Sequence, residues 1–310
     1  MVLYGKMKIG TALPARIVTN EDLVAAFPDW SAEKIRAKTG IAARHVAAPD
    51  ESTVDLAARA CEDLFARGVD RTSVDFILFC TQSPMYRLPS SACLLQRALG
   101  LPTAVGALDL GLGCSGFVYG LSVAKGLVVS GAAKGVLLVT SETYTKLLAP
   151  DDRATRAIFG DGAAATFVDA DLAGRIGQFV FGTDGSGAEK LIARDGEPLR
   201  MDGPEIFNFT LDVVPETVES VCAKNGLGRD DVDLYVFHQA NRFMLDAVRQ
   251  VCGIPEERFF VDMADIGNTV SASVPIAIRR AQDAGRLRPG QTAMVVGFGV
   301  GLSWAGTVVR

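Results

Sequence analysis

Three residues from distant parts of the chain have the types and settings that carbonyl chemistry uses: Cys114, His238 and Asn268. Cys114 sits in "GLGCSG" (111–116), between the apolar "AVGALDL" and the helix-like "GFVYGLSVAKGLVV". A cysteine at a loop-to-helix junction lies near unpaired backbone N–H groups and the positive end of a helix dipole. That setting lowers a thiol pKa from about 8.5 and yields a thiolate able to attack a thioester carbonyl. Flanking Gly113 and Gly116 leave room for a substrate to approach the backbone closely. The plain alternative is a buried structural cysteine, a small apolar side chain. His238 ends a strand-like run and opens "HQAN"; strand ends on one face of an α/β sheet are where ligands bind. It is one of only 2 histidines, and the other, His45 in "ARHVA", reads as a satisfied core residue. Asn268, in "IGNTVSAS", precedes a helix, where asparagine serves either as a cap or as a neutral donor. Two neutral donors aimed at one oxygen stabilise an enolate left by decarboxylation, at roughly 3–4 kcal/mol each.

The opening loop also fits a second template. Gly111, Gly113 and Gly116 match the G-x-G-x-x-G of a dinucleotide-binding turn, and Glu142 ends the following strand "GVLLVTSE" as that pattern asks. Strands and helices already precede the loop, however, and a nucleotide site leaves "FHQAN" and "IGNTVSAS" without a purpose. A G-x-S-x-G nucleophile elbow fails, because Ser115 is flanked by Gly113 and Phe117.

Strand-like and helix-like segments alternate through the chain, which implies an α/β fold with buried central sheets. The first half reads strand 74–80, helix 89–100, strand 106–110, the Cys114 loop with its helix, and strand 135–142. In the second half come strand 232–238, helix 242–253, strand 258–263, a Gly-Asn loop, helix 272–285 and strand 292–299. Side by side, "SVDFILFCTQS" (73–83) matches "DVDLYVFHQAN" (231–241), and "LDLGLGCSG" (108–116) matches "VDMADIGNT" (261–269). Cys80 then falls opposite His238, and, with one residue of slippage in the second match, Cys114 falls opposite Asn268. A duplication of this kind brings corresponding strand ends to one face, where Cys114, His238 and Asn268 meet. It divides the chain into residues 1–170, carrying the cysteine, and 171–310, carrying the histidine and asparagine.

Composition narrows the class. A chain of 310 residues exceeds the size at which single cores usually stop growing. A net charge of −5 without any nucleic-acid motif excludes an electrostatic DNA or RNA binder. The 6 cysteines lack paired spacing, so no metal site is expected and a reducing, cytoplasmic setting is. Residues 1–14 carry no signal-peptide pattern, and the apolar stretch 117–139 is interrupted by Lys125 and Lys134, so no membrane insertion is expected.

Several blocks, in order, resemble the beta-ketoacyl-acyl carrier protein synthase III family: the Cys114 loop and helix, "RAIFGDGAAA" (156–165), "FHQAN" and "GNTVSASVP". The similarity runs from "ARIVTNEDL" to the terminal "GFGVGLSWAGTVVR". It implies a thiolase-like fold of two duplicated halves in a five-layer αβαβα arrangement, usually a homodimer. Cys114 matches the acylated nucleophile, and His238 and Asn268 match the pair that promotes decarboxylation of a malonyl-carrier thioester. The backbone amides of Cys114 and Val300 match the oxyanion hole, and Phe159 matches the phenylalanine beside the nucleophile. Arg153 and Asn241 match CoA contacts, and Leu88 matches the phenylalanine that the partner subunit lends to the acyl pocket. No resident cofactor is implied; acyl-CoA or acyl-carrier thioesters are the substrates. A variant chemistry passes the acyl group to an alcohol or amine without decarboxylation.

The chain departs from the family pattern in places. Lys34 takes the place of a tryptophan that stacks on the adenine of CoA, with Trp30 four residues earlier, and Lys38 replaces the arginine of the "RTGI" block. "GVG" replaces three glycines, which leaves the backbone amide of Val300 in place. Lys34, Arg36, Lys38, Arg44, Arg242 and Arg249 form a basic set suited to CoA phosphates or an acidic carrier.

Overall fold

The structure is a computed structural model that describes residues 7–27 and 29–310. The first six residues of the stretch read for a signal peptide lie outside the described residues. Two mixed five-stranded sheets form the frame. The first contains β1 (Ile9–Ala12), β2 (Phe76–Cys80), β3 (Gly106–Leu110), β4 (Val136–Glu142) and β5 (Gly162–Val168), in the order β1-β5-β4-β2-β3. The second contains β6 (Val180–Thr183), β7 (Leu234–Phe237), β8 (Phe259–Phe260), β9 (Ala293–Gly299) and β10 (Ser303–Val309), in the order β8-β7-β9-β10-β6.

Reversed, the first order superposes on the second. In each sheet three neighbouring strands are parallel and the remaining two are antiparallel. Strand β2 corresponds to β7 and β3 to β8, the same matches drawn from "VDFILF" against "VDLYVF". The Val/Leu-rich runs expected to end each half, β4 and β9, are instead central strands, buried along their whole length. An antiparallel strand follows each of them. Those followers, "GAAATFV" and "SWAGTVV", are rich in small residues with weak strand preference, which hides them from a pattern search. The expected strand 258–263 shrinks to Phe259–Phe260.

Helices pack against these sheets. Among them Ser91–Ala98, where the sequence predicts a helix over 89–100, lies beside the Thr53–Ala66 helix on the outer face of the first sheet. Six others are, in chain order, α1 (Ala32–Thr39), α2 (Thr53–Ala66), α3 (Gly116–Val129), α4 (Gly203–Asn225), α5 (Arg242–Val251) and α6 (Ser273–Asp283). Helices α3 and α6 contact both sheets and form the middle layer, while α2 covers the outer face of the first sheet and α4 that of the second. Their apolar residues build one central core between the sheets and one outer core on each side. The middle position explains the composition of α3, which is apolar over most of its circumference because protein surrounds it. Gly120 is needed there, since a Cβ would lie 2.6 Å from Leu138 Cδ1. Among the described residues, no helix is long and apolar enough to cross a membrane.

Candidate active site

The nucleophile candidate is set by the crossing of the two halves. Cys114 and Ser115 precede α3, and β9 of the other sheet runs directly past them. A Cβ on Gly297 would lie 2.7 Å from the Cys114 carbonyl oxygen, and one on Gly299 would lie 2.9 Å from Sγ. Glycine at both positions lets the strand reach the cysteine. The Ser115 and Ser303 hydroxyls, 2.7 Å apart, tie the two segments together. The sulfur thereby faces two backbone N–H groups, those of Val300 and of Cys114 itself.

Two expectations about this loop are corrected. Gly113 and Gly116 do not leave room for substrate, because protein atoms fill that space. A Cβ on Gly116 would collide with Cys80 Sγ, and one on Gly113 with Gln82 Oε1. Nor is the resting thiol acidic. Burial pushes Cys114 up to about 12, the Glu142 carboxylate adds to the rise, and the two amides pull only partly against it. Desolvation of the charged form outweighs the favourable helix terminus.

His238 follows β7, and its own N–H donates to Val296 O at 2.8 Å, extending the pairing with β9. The ring is 2% exposed and sits edge-on to Phe298, with centroids 5.6 Å apart. Burial holds its pKa down at about 3, so the imidazole is neutral. Its Nδ1 lies 2.7 Å from Ser273 Oγ and its Nε2 lies 3.4 Å from Asn268 Nδ2. Asn268 serves both purposes read for it. Its Oδ1 accepts from Val270 N–H at 2.9 Å, as a cap would, and this fixes the amide with Nδ2 turned toward His238. Its backbone bridges Phe159, whose ring packs tilted against Tyr144 with centroids 5.0 Å apart.

Cys114, His238, Asn268 and Phe159 line one chamber of about 100 Å³, floored by Phe298 and Gly299. Asn241 caps α5 by accepting from Met244 N–H at 2.9 Å. It stands with Ile158, Gly203 and Met244 at the passage from this chamber into an open vestibule of about 800 Å³. Trp30, Lys34 and Lys38 line that vestibule. Trp30 stands beneath the Arg153 guanidinium, whose carbon is 5.4 Å from the ring centroid. An aromatic face is thus present although Lys34 occupies the tryptophan position of the family pattern.

The basic set is only partly at the surface. Arg44 is 1% exposed and donates to Val18 O, Asn20 Oδ1 and Ala157 O, so it ties these segments together rather than meeting phosphates. Arg242 is paired with Asp246 and Glu256. Leu88 is not in the chamber of its own chain: it is 83% exposed, beside exposed Met85 and Tyr86.

Glu142 is a functional candidate that the sequence reading used only as a strand end. Fully buried at the end of β4, its carboxylate accepts from Thr81 Oγ1, Gln82 N–H, Ser83 Oγ and Ser271 Oγ, with no cation among those donors. It joins the loop beneath Gly113 to the turn that carries Asn268. Burial raises its pKa to about 7 despite these bonds. A carboxyl raised above its unfolded value of about 4.5 stabilises the fold below that pH and progressively less as pH rises toward 7. Melting temperature should therefore fall between pH 5 and 8, and Glu142→Gln should flatten that slope, by a stability difference on the order of 2 kcal/mol across the window. Differential scanning fluorimetry over the pH series checks it.

A buried thiol under two amides, sharing a chamber with a neutral histidine and an asparagine amide where duplicated halves cross, fits a thiolase-like condensing enzyme. Comparison with known proteins agrees. Residues 108–185 match the family profile described as 3-oxoacyl-[acyl-carrier-protein] synthase III, and residues 222–310 match its C-terminal profile. The chain is 40% identical to the beta-ketoacyl-[acyl-carrier-protein] synthase III of Deinococcus deserti, covering 98% of this chain and 90% of that protein. It is 39% identical to the Rubrobacter xylanophilus protein of the same description, covering 99% and 98%. A crystal structure of a 3-oxoacyl-(acyl-carrier-protein) synthase III superposes with a TM-score of 0.94 at 49% identity, covering 98% of each chain. The Thermus thermophilus enzyme does so at 0.91 and 39% identity, again covering 98% of each. The chain belongs to the beta-ketoacyl-acyl carrier protein synthase III family.

Proposed function

We propose that the chain performs a decarboxylative Claisen condensation in fatty acid or specialised acyl-chain synthesis, with Cys114 as the acylated nucleophile. The observation that carries the reading is that Cys114, with two backbone amides at its sulfur, shares one chamber with His238 and Asn268. The amides of Val300 and Cys114 face the sulfur, and His238 Nε2 and Asn268 Nδ2 converge 3.4 Å apart. The first pair suits the oxyanion of acyl transfer and the second suits an enolate.

In the first half-reaction the Cys114 sulfur attacks the thioester carbonyl. The thiol of CoA or of a carrier protein leaves with the proton, and the acyl group stays on Sγ. In the second, a malonyl-carrier thioester enters. Its C–C bond to the carboxylate breaks, carbon dioxide leaves, and the electron pair is held as an enolate between His238 and Asn268. That carbon then attacks the acyl-Cys114 carbonyl and expels the sulfur, giving a beta-ketoacyl product. Trp30 and Arg153 are the residues we assign to the adenine end of CoA, and Asn241 to its arm in the passage. Residues 1–170 and 171–310 are the two halves in this scheme. Incubation with acyl-CoA and acyl-carrier panels followed by intact-mass measurement should show one acyl adduct. Malonyl-carrier should then release one carbon dioxide per adduct; adduct loss to an alcohol or amine without carbon dioxide would replace condensation by plain acyl transfer.

We further propose a cytoplasmic homodimer in which Leu88 of one subunit approaches the acyl pocket of the other. An exposed apolar ridge of Met85, Tyr86 and Leu88 supports it, since such a patch is usually covered in the working assembly. Leu88→Asp is expected to shift the chain from dimer to monomer in light scattering and to lower condensation at least about tenfold by opening the pocket.

A further inference from the structure

We propose that Ser273 is a positioning residue that sets the tautomer of His238, placing the ring proton on Nε2 and aiming it into the chamber. The inference rests on the donor role assigned to His238 above and adds the group that makes the ring a donor.

The argument begins with a neutral imidazole, which carries one proton on one of two nitrogens. If it sits on Nδ1, Nε2 is an acceptor, and Asn268 Nδ2–H donates to it across 3.4 Å. The two groups then satisfy each other and offer one donor fewer to an enolate. If it sits on Nε2, both N–H groups point to the same space. The choice is made at the other nitrogen, where Ser273 Oγ lies 2.7 Å from Nδ1.

Ser273 is 1% exposed, so its hydroxyl proton needs a partner inside the protein. The backbone N–H of Gln239 donates to Oγ at 3.4 Å and occupies one of its lone pairs. Among the described residues, the acceptor within reach of the hydroxyl proton is Nδ1. With a proton on Nδ1 instead, the buried hydroxyl has no acceptor. The buried hydroxyl therefore selects Nε2–H, and the two N–H groups left unpaired, on His238 and Asn268, face the chamber, where solvent or substrate meets them. Helix α6 begins at Ser273, which fixes the hydroxyl at a rigid point five residues after Asn268.

His45 provides an internal reference of the opposite kind. Its Nδ1 lies 2.6 Å from Pro14 O, and a carbonyl can only accept, so His45 carries its proton on Nδ1. The chain has 2 histidines, so nitrogen spectra of the untagged, histidine-labelled protein contain two rings, and His45→Gln assigns them. At pH 7 the wild-type spectrum should show His238 as the Nε2–H form, with a proton on Nδ1 of His45. Ser273→Ala should move His238 toward Nδ1–H and slow carbon dioxide release on the order of 100-fold, the scale of losing one placed donor. Acylation of Cys114, read by mass, should keep its rate, and Ser273→Thr should restore both tautomer and condensation.

A wild-type His238 protonated on Nδ1 overturns the proposal, and this measurement holds even where a variant does not fold. An unchanged tautomer in folded Ser273→Ala also overturns it. If the tautomer moves while carbon dioxide release keeps its wild-type rate, the role of Ser273 stands and the donor role of His238 falls.

Discussion

Cys114→Ala is expected to remove the acyl adduct entirely and to lower condensation by roughly 10,000-fold or more, the scale seen when a covalent nucleophile is deleted. Folding should be little affected, because the thiol is a small buried group and alanine fills most of its volume. The wild-type thiol should also react in a particular way with pH. Burial holds its pKa at about 12, so the thiolate fraction is small at neutral pH and grows tenfold per pH unit. Alkylation by iodoacetamide should therefore be slow at pH 7 and rise continuously through pH 9 without a plateau. A plateau near pH 7 would show an acidic resting thiol and contradict the burial argument. Acylation escapes this handicap for a chemical reason. The proton lost by Cys114 is taken up by the departing thiol, so no free thiolate has to persist in the apolar chamber. The amides of Val300 and Cys114, which face the sulfur at rest, are positioned for the oxyanion that forms beside it.

Much of this site was legible because duplicated strands announce it. Matching "VDFILF" to "VDLYVF" sends two strand ends to one face, and the parallel cores β2-β3-β4 and β7-β8-β9 repeat that match in the sheets. Cys114, His238 and Asn268 follow from it. The glycines were legible as a pattern but not in purpose. G-x-G-x-x-G records close backbone approach without saying what approaches, and here it is Cys80 and Gln82 rather than a ligand. Arg44 could not be told from a surface cation, because its burial comes from long-range partners at Val18 and Ala157. Ser273 and Glu142 were invisible for a related reason. A serine at a helix start and an acid at a strand end are ordinary residues, and their meaning lies in a distant partner: the His238 ring of the same half for Ser273, and the Ser271 hydroxyl of the other half for Glu142. Trp30 was noticed but unplaced; its stacking beneath Arg153 needs the fold of α1 against the Arg153–Arg156 helix.

The second large effect concerns the donor pair. His238→Ala and Asn268→Ala are each expected to slow carbon dioxide release from malonyl-carrier by about 100- to 1,000-fold while leaving acylation of Cys114 near its wild-type rate. The split follows from the proposed scheme, in which backbone amides meet the acyl oxyanion and neither substitution removes them. The double variant should lose less than the product of the single losses, because the donors share one oxygen and each alone leaves it half-satisfied. Over pH 5 to 8 the decarboxylation rate should show no histidine ionisation. An ordinary imidazole would gain its proton below about 6.5, whereas burial keeps His238 neutral until about pH 3. Asn268→Asp separates shape from charge. The carboxylate keeps the size of the amide but removes the donor and sets a negative charge beside the developing enolate, so it should be slower than Asn268→Ala at pH 8. Lowering the pH protonates that carboxyl and returns a donor, so the aspartate variant alone should speed up as pH falls. A variant that instead tracks Asn268→Ala at every pH would mean that Nδ2 does not face the reacting oxygen.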